Sequence, residues 1–352
     1  MSTPRFNTIA DHPLLKGSAL EAAFKAQPLG FIDVGARAGA PPLAAPIGRL
    51  ASFLGFEPDG AESERMNADA AFKAPWARCQ TLPVALGRVA EERDLYITQL
   101  ATNISLLNPN PDFTARYRPR GNNVTRVERI AVQPLDEVIA KAGGVQAGEF
   151  IKLDTQGSEL EILAGAEKTL RDSTLCVVAE AEFCEFYENQ PRFSEVEQFL
   201  RARGFAFYGF QTMNYRSQKR LDKARAAGRE RLFWADMVFF KDPFDRGGDR
   251  SVLTGRRGLA LFLIAATLEY YDFALEISEA IGGAEAEKRA ALVVALAERD
   301  VQSAGDAVRA LMEKVERRPD QANLATARFV DSRRHLNDVH DVPDDTIKTP
   351  GG

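Results

Sequence analysis

Phe150-Ile151-Lys152-Leu153-Asp154-Thr155-Gln156-Gly157-Ser158-Glu159-Leu160-Glu161-Ile162-Leu163-Ala164-Gly165-Ala166 is the stretch that decides the fold. Its first four residues read as a short buried strand that delivers Asp154 to the carboxyl end. A glycine turn follows. A helix then restarts at about Ser158, with Leu160, Leu163 and Ala164 on the face toward a sheet. Strand, acid, turn and helix form the repeating unit of open α/β sheets, which bind ligands beyond the carboxyl ends of their strands. Glu159 and Glu161 also have a plain reading, as acids that complement the helix dipole in its first turn.

Two motifs nearer the N-terminus have the same build. Phe31-Ile32-Asp33-Val34-Gly35-Ala36-Arg37-Ala38-Gly39 is a strand that ends in an acid and a small-residue turn. It is not the G-x-G-x-x-G of a dinucleotide site, and a carboxylate at Asp33 would repel a pyrophosphate. It suits a ligand with a positive end, such as the ammonium and sulfonium of S-adenosylmethionine. A tight turn with no ligand is the competing reading, since glycine often serves turn geometry alone. Glu57 ends the next strand in Gly55-Phe56-Glu57-Pro58. An acid about 20 positions beyond a glycine turn is placed to accept both hydroxyls of a ribose. In this order the motifs favour a ligand that contains a nucleoside.

Strands and helices alternate around these motifs. Residues 13–27 and 62–72 read as helices, and a helical stretch through 47–51 follows Pro41, Pro42 and Pro46. Residues 53–56, 81–86, 94–98, 175–179, 205–210 and 233–240 read as strands; 135–142, 158–170 and 194–203 read as helices. The pattern predicts a doubly wound, mostly parallel sheet, closed by two consecutive strands that can pair as an antiparallel edge. The expected divisions are a helical lead-in (1–27), the sheet domain (28–243), a helical appendage (255–317) after a linker at Asp245–Arg250, and a polar tail (318–352).

The chain has 352 residues, 45% of them apolar and 27% charged, enough to bury a large core. A formal charge of −5 argues against a general nucleic-acid binder. The longest apolar run, Leu259–Leu268, is about half the roughly 20 residues a membrane span needs. Cys79, Cys176 and Cys184 are odd in number and lack C-x-x-C spacing, which fits neither a disulfide framework nor a zinc site. A cytoplasmic location is the expectation. The only histidines are His12, His335 and His340, so chemistry in the sheet domain must use carboxylates, Tyr, Lys or a metal.

Taken together, the Asp33–Ala36 turn, Phe56-Glu57-Pro58 and the stretch Phe150–Ala166 resemble the FkbM family of S-adenosylmethionine-dependent methyltransferases. The likeness covers about residues 28–241 and includes Leu95–Thr98, Ser105-Leu106, Glu180, Phe193–Phe205 and Trp234–Asp236. Two places depart from the family pattern: Arg37, where Asn is frequent, and Thr155-Gln156, where Val-Glu is common.

The resemblance implies a seven-stranded methyltransferase sheet that methylates an oxygen, on a sugar, glycan or other small-molecule hydroxyl. Cofactor residues are then Asp33, Gly35, Ala36, Gly39 and Glu57. Asp154 is the first candidate for base or substrate anchor and Glu180 the second. A divalent cation is the alternative route to a more acidic hydroxyl, with oxygens from Asp154, Glu159, Glu180 and Glu182; no metal ligand is assigned. The rival function is a non-catalytic scaffold that works through its helical C-terminus, and a nicotinamide-linked oxidoreductase is disfavoured by Asp33. The appendage is expected to pack on the sheet domain or on a second copy. Arg216–Arg231 carries seven basic residues against two acidic ones, either a solvated face or a field that steers an anionic acceptor.

Overall fold

Runs of apolar residues that can be buried on both faces become central strands. Leu29–Val34 (β1) and Ala51–Phe56 (β2) are buried at every position. Further along come Arg78–Leu82 (β3), Ala85–Leu86 (β4), Glu91–Thr98 (β5) and Val124–Gln133 (β6). Phe150–Leu153 (β7), Cys176–Glu182 (β8), Ala206–Arg216 (β9) and Arg231–Phe240 (β10) complete the strands. The computed structural model describes residues 9–37, 42–141, 148–221, 228–298 and 301–331.

Seven strands form one sheet in the order β3-β2-β1-β7-β8-β10-β9. The pairs β2–β3, β1–β2, β1–β7 and β7–β8 are parallel, and β10 lies antiparallel to β8. The expected doubly wound sheet with an antiparallel edge is therefore present. Because the chain fills one side of β1 with β2 and β3 and then returns to the other side as β7, the strand order reverses between β1 and β7. That reversal opens a crevice at the carboxyl edge, where open α/β sheets bind ligands.

Helices cover both faces of the sheet. Those before β3 are Ala19–Ala26 (α1), Gly60–Ala68 (α2) and Ala70–Lys73 (α3); Pro111–Tyr117 (α4) and Leu135–Lys141 (α5) follow. Glu159–Ala164 (α6), Glu167–Asp172 (α7) and Phe193–Arg201 (α8) come next, then Gly255–Thr267 (α9), Tyr271–Ile281 (α10) and Ala286–Ala297 (α11). Alternate strand residues feed two buried clusters. Phe31, Phe53, Phe150 and Val178 meet Leu20 and Phe24 of α1 and Leu261–Ala266 of α9. Ile32, Leu54, Ile151 and Val177 meet Leu163 of α6, Leu170 of α7 and Val196 of α8.

From Gly258 onward helix α9 is apolar on every side, and residues 260–266 have no exposed surface. A helix of that kind is a core element. Its first turn is tied to the sheet by Arg256, which pairs with Glu149 and donates to the carbonyls of Gln27 (2.9 Å) and Pro28 (3.2 Å). The chain divides into two compact units, residues 1–215 with 232–298, and residues 216–231 with 299–352. That boundary falls inside the range 255–317 expected as one appendage: α9 to α11 lie in the unit of the sheet. In the second unit Val301–Arg317 (α12) and Ala322–Asp331 (α13) pack on each other, and Val308, Met312 and Val330 stay exposed. The second unit also takes the whole basic run, of which Lys223 and Arg225 lie outside the described residues.

Other differences have local causes. Pro83, which lacks an amide, splits the strand expected at 81–86 into β3 and β4, and these join different sheets. A second sheet, β4-β6-β5, was not expected, because the alternating charges of Val124–Gln133 hide its strand character. The proline-rich stretch Pro42–Leu50 is a 3₁₀ helix rather than an α-helix, and the leading helix starts only at Ala19, capped by Ser18. Among the described residues no helix is long and apolar enough to cross a membrane.

Candidate active site

Three loops meet where the strand order reverses. After β1, Gly35 sits at φ +82°, and a Cβ there would lie 2.1 Å from the Asp154 carbonyl oxygen. Both facts require glycine. The amides of Gly35 and Ala36 donate to the Phe56 carbonyl (3.1 Å each), and the Asp154 amide donates to the Val34 carbonyl (3.0 Å). The ends of β1, β2 and β7 are thereby locked together. The first two amides are already bonded, so the turn is a packing device rather than an anion cradle.

A cavity of about 600 Å³ opens over these loops, within the usual size range of small-molecule sites. Its polar wall includes Gly35, Arg37, Glu57, Asp59, Asp154 and Gln156, and its apolar wall includes Leu86, Leu95, Ile104, Ile130 and Ile162. The three-stranded sheet contributes much of that apolar wall. Of the residues expected at the site, Gly35, Glu57 and Asp154 line the cavity. Asp33, Ala36 and Glu180 do not, and Gly39 lies outside the described residues.

Glu57 is 4% exposed. Its Oε1 accepts from the Asp59 amide (2.9 Å) and faces the Arg37 guanidinium (3.4 Å), which is drawn more closely to Asp59 (2.8 Å). Oε2 has no hydrogen bond among the described residues. The free oxygen of a buried carboxylate on a cavity wall is what a ribose diol needs, so the residues present fit a nucleoside cofactor.

The other end of the cavity is crowded with acids. Sheet register sets Asp33 opposite Lys152 and Glu180 opposite Asp236, and the two-residue period puts all four on one face. Lys152 Nζ lies 3.3 Å from Asp154 Oδ2 and 3.6 Å from Asp33 Oδ1. Burial works against the ammonium, yet the charges of Asp33, Asp154 and Asp236 outweigh it and hold the Lys152 pKa above the usual value. Asp33 is buried, and Oδ1 has no hydrogen bond; desolvation pushes its pKa up to about 6. Asp33 thus stands behind the cavity wall, against Lys152.

Glu159 accepts from the amides of Thr155 (2.7 Å) and Gly157 (3.0 Å) and from the Thr155 hydroxyl (3.0 Å), and burial still raises its pKa to about 7. Burial, with the neighbouring carboxylates, raises Glu180 and Glu182 well above the usual range. Burial also raises Asp236. Among the described residues, no group of three or more His, Cys, Asp or Glu is arranged to hold a metal ion. Glu159, one of the four oxygen donors considered for a cation, instead clamps the loop that follows β7.

Sequence reasoning missed the roles of Lys152, Gln156, Tyr187 and Asp236. Gln156 bridges Asp154 and Glu180, and Tyr187 donates to it (2.9 Å). Lys152 was within reach, because the two-residue period already sets it on the face of Phe150. Its partner Asp33 is identified only by the strand order.

The chain is similar to the crystal structure of a methyltransferase FkbM from Methylobacillus flagellatus KT, with 16% identity and a TM-score of 0.34. That match covers 60% of this chain, and the chain spans 43% of the solved one. No curated protein matches the sequence. The family model described as the methyltransferase FkbM domain matches residues 33–207, from Asp33 near the end of β1 into the start of β9. That span includes Glu57, Lys152, Asp154, Gln156 and Glu180, and residues 33–207 belong to the FkbM methyltransferase domain family.

Proposed function

We propose that the protein transfers a methyl group from S-adenosylmethionine to a hydroxyl oxygen of a sugar, glycan or other small-molecule acceptor. One observation carries the reading: Glu57 and Asp154, at the ends of β2 and β7, share the wall of one cavity. Glu57 would hold the ribose hydroxyls, and the apolar wall around Leu86, Ile104 and Ile162 would hold the base. When bound, the cofactor supplies the activated methyl group.

The protein's own residues supply alignment and charge. Holding the acceptor oxygen in line removes much of the entropic barrier to a two-body displacement. Asp154, with 36% of its side chain exposed, faces the cavity and receives the hydroxyl proton, a role worth about 10² to 10⁴ in rate. Lys152 and Gln156 hold its two oxygens from behind. The excess of carboxyls at this end favours a neutral acceptor, because an anion placed there would be repelled. The basic run in the second unit is then read as a solvated face.

The test is calorimetric titration of S-adenosylmethionine into the full chain and into Glu57→Ala. Loss of a charge-assisted pair of hydrogen bonds should weaken binding by about 1–3 kcal/mol. Equal affinity in a folded Glu57→Ala protein contradicts the assignment.

A further inference from the structure

Gln156 has a backbone conformation that side-chain-bearing residues avoid. Its φ is +59°, in the left-handed region, and Gly157 follows at φ +103°. A residue remains there only when its surroundings over-determine it. The Gln156 carbonyl accepts from the Ser105 hydroxyl (2.7 Å). The side-chain Nε2 donates to Asp154 Oδ1 (3.0 Å) and to Glu180 Oε1 (3.0 Å), while Oε1 accepts from the Tyr187 hydroxyl (2.9 Å). Chemistry fixes the sense of the amide, because carboxylate oxygens accept and a phenol that meets a carbonyl donates.

The amide meets Asp154 just after β7, Glu180 of β8 and Tyr187, and the charged neighbours of those three groups are Lys152 of β7, Glu182 of β8, Asp236 of β10 and Glu159 of α6. Acids at this density repel one another. A neutral double donor between two of them holds both in place without adding charge, and a third carboxyl in its place would meet that repulsion. Gln156 also lines the cavity beside Asp154, so the held carboxyl opens onto that cavity.

We infer that Gln156 is a positioning residue: its amide ties Asp154 to Glu180 and aims the Asp154 carboxyl at the reacting end of the cavity. This rests on the methyltransferase reading above. Replacing the amide by an apolar group frees Asp154 to turn, without touching Glu57 or the apolar wall.

Two cofactor analogues test this without an acceptor, by calorimetry on the full chain. S-adenosylhomocysteine lacks the methyl group, and sinefungin carries an ammonium in its place, so the ratio of their affinities reports a carboxylate aimed at that point. The wild type should bind sinefungin at least tenfold more tightly. Gln156→Leu should cut that ratio at least fivefold, with S-adenosylhomocysteine affinity unchanged within twofold. Gln156→Glu keeps the shape should the leucine variant not fold; its carboxyl can donate to Asp154 only while protonated, so its ratio should fall as pH rises and that proton is lost. A wild-type ratio near one, or the same pH-independent ratio in the wild type and in every folded variant, overturns the inference alone. A wild type that binds neither analogue overturns the methyltransferase reading and the inference with it.

Discussion

At the β2 end of the cavity a buried carboxylate is surrounded by donors. Glu57 has the Asp59 amide and the Arg37 guanidinium, and one oxygen remains for a ligand. At the β7 end the proportion is reversed. Asp33, Asp154 and Asp236 face Lys152, with Glu159, Glu180 and Glu182 beside Asp154. Burial raises Asp33 to about 6, Glu159 to about 7, and Glu180, Glu182 and Asp236 above the usual carboxylate range. On the function proposed above, the same residue type would serve recognition at the first end and proton handling at the second. The first end should respond little to pH and the second strongly.

The largest expected effect comes from removing Lys152, the one cation at the acidic end among the described residues. Lys152 is 13% exposed at its side chain, so Lys152→Met leaves buried acids uncompensated. Breaking a buried pair from one side costs about 3–5 kcal/mol. Denaturant unfolding should show a loss of that order, partly recovered in the double variant Asp33→Asn, Lys152→Met. A loss below 1 kcal/mol by the same measure would mean that the acids are already neutral there.

The pH dependence comes next. Asp33 and Glu159 have folded-state pKa values raised to about 6 and about 7, mainly by desolvation. A raised carboxyl pKa means that the folded state binds more protons than the unfolded one. The stability it contributes is then full below about pH 4 and is lost as pH rises through 6 to 7. Asp33→Asn should flatten that fall by about 2–3 kcal/mol between pH 4 and 7, as read from urea midpoints at a series of pH values. An unchanged slope would show that Asp33 titrates normally.

Asp154→Asn should reduce turnover at least about tenfold once an acceptor is in hand, because an amide cannot take the hydroxyl proton. Normal turnover would mean that Asp154 is not the base. The smallest change belongs to the other end. Arg37 is 25% exposed and its closer partner Asp59 is 46% exposed, so this is largely a surface pair. Arg37→Ala should shift stability by less than about 1 kcal/mol at any pH from 5 to 8. A larger or pH-dependent loss would erase the contrast between the two ends.

The parts of this site that were readable in the sequence are those written locally. Asp33, Glu57 and Asp154 each end a short apolar run, and each does stand at the carboxyl edge of the sheet. Gly35 announces a turn, and its contact with the Asp154 carbonyl shows why only glycine fits. What the sequence hid depends on which strands become neighbours. Asp33 faces Lys152 because β1 pairs with β7, and Glu180 faces Asp236 because β10 runs back along β8. The apolar wall depends on β6, a strand whose charged residues resemble a loop. Helix α9 was legible as a helix, but its place in the core appears only when it meets Phe31 and Phe150.

If one cavity has a cofactor-holding end at Glu57 and a reacting end at Asp154, parallel titration of S-adenosylmethionine into Glu57→Ala and Asp154→Asn will separate the two. Glu57→Ala should lose about 1–3 kcal/mol of binding, while Asp154→Asn should bind within about twofold of wild type. Equal losses in both variants, or none in either, would show that the cavity does not divide in this way.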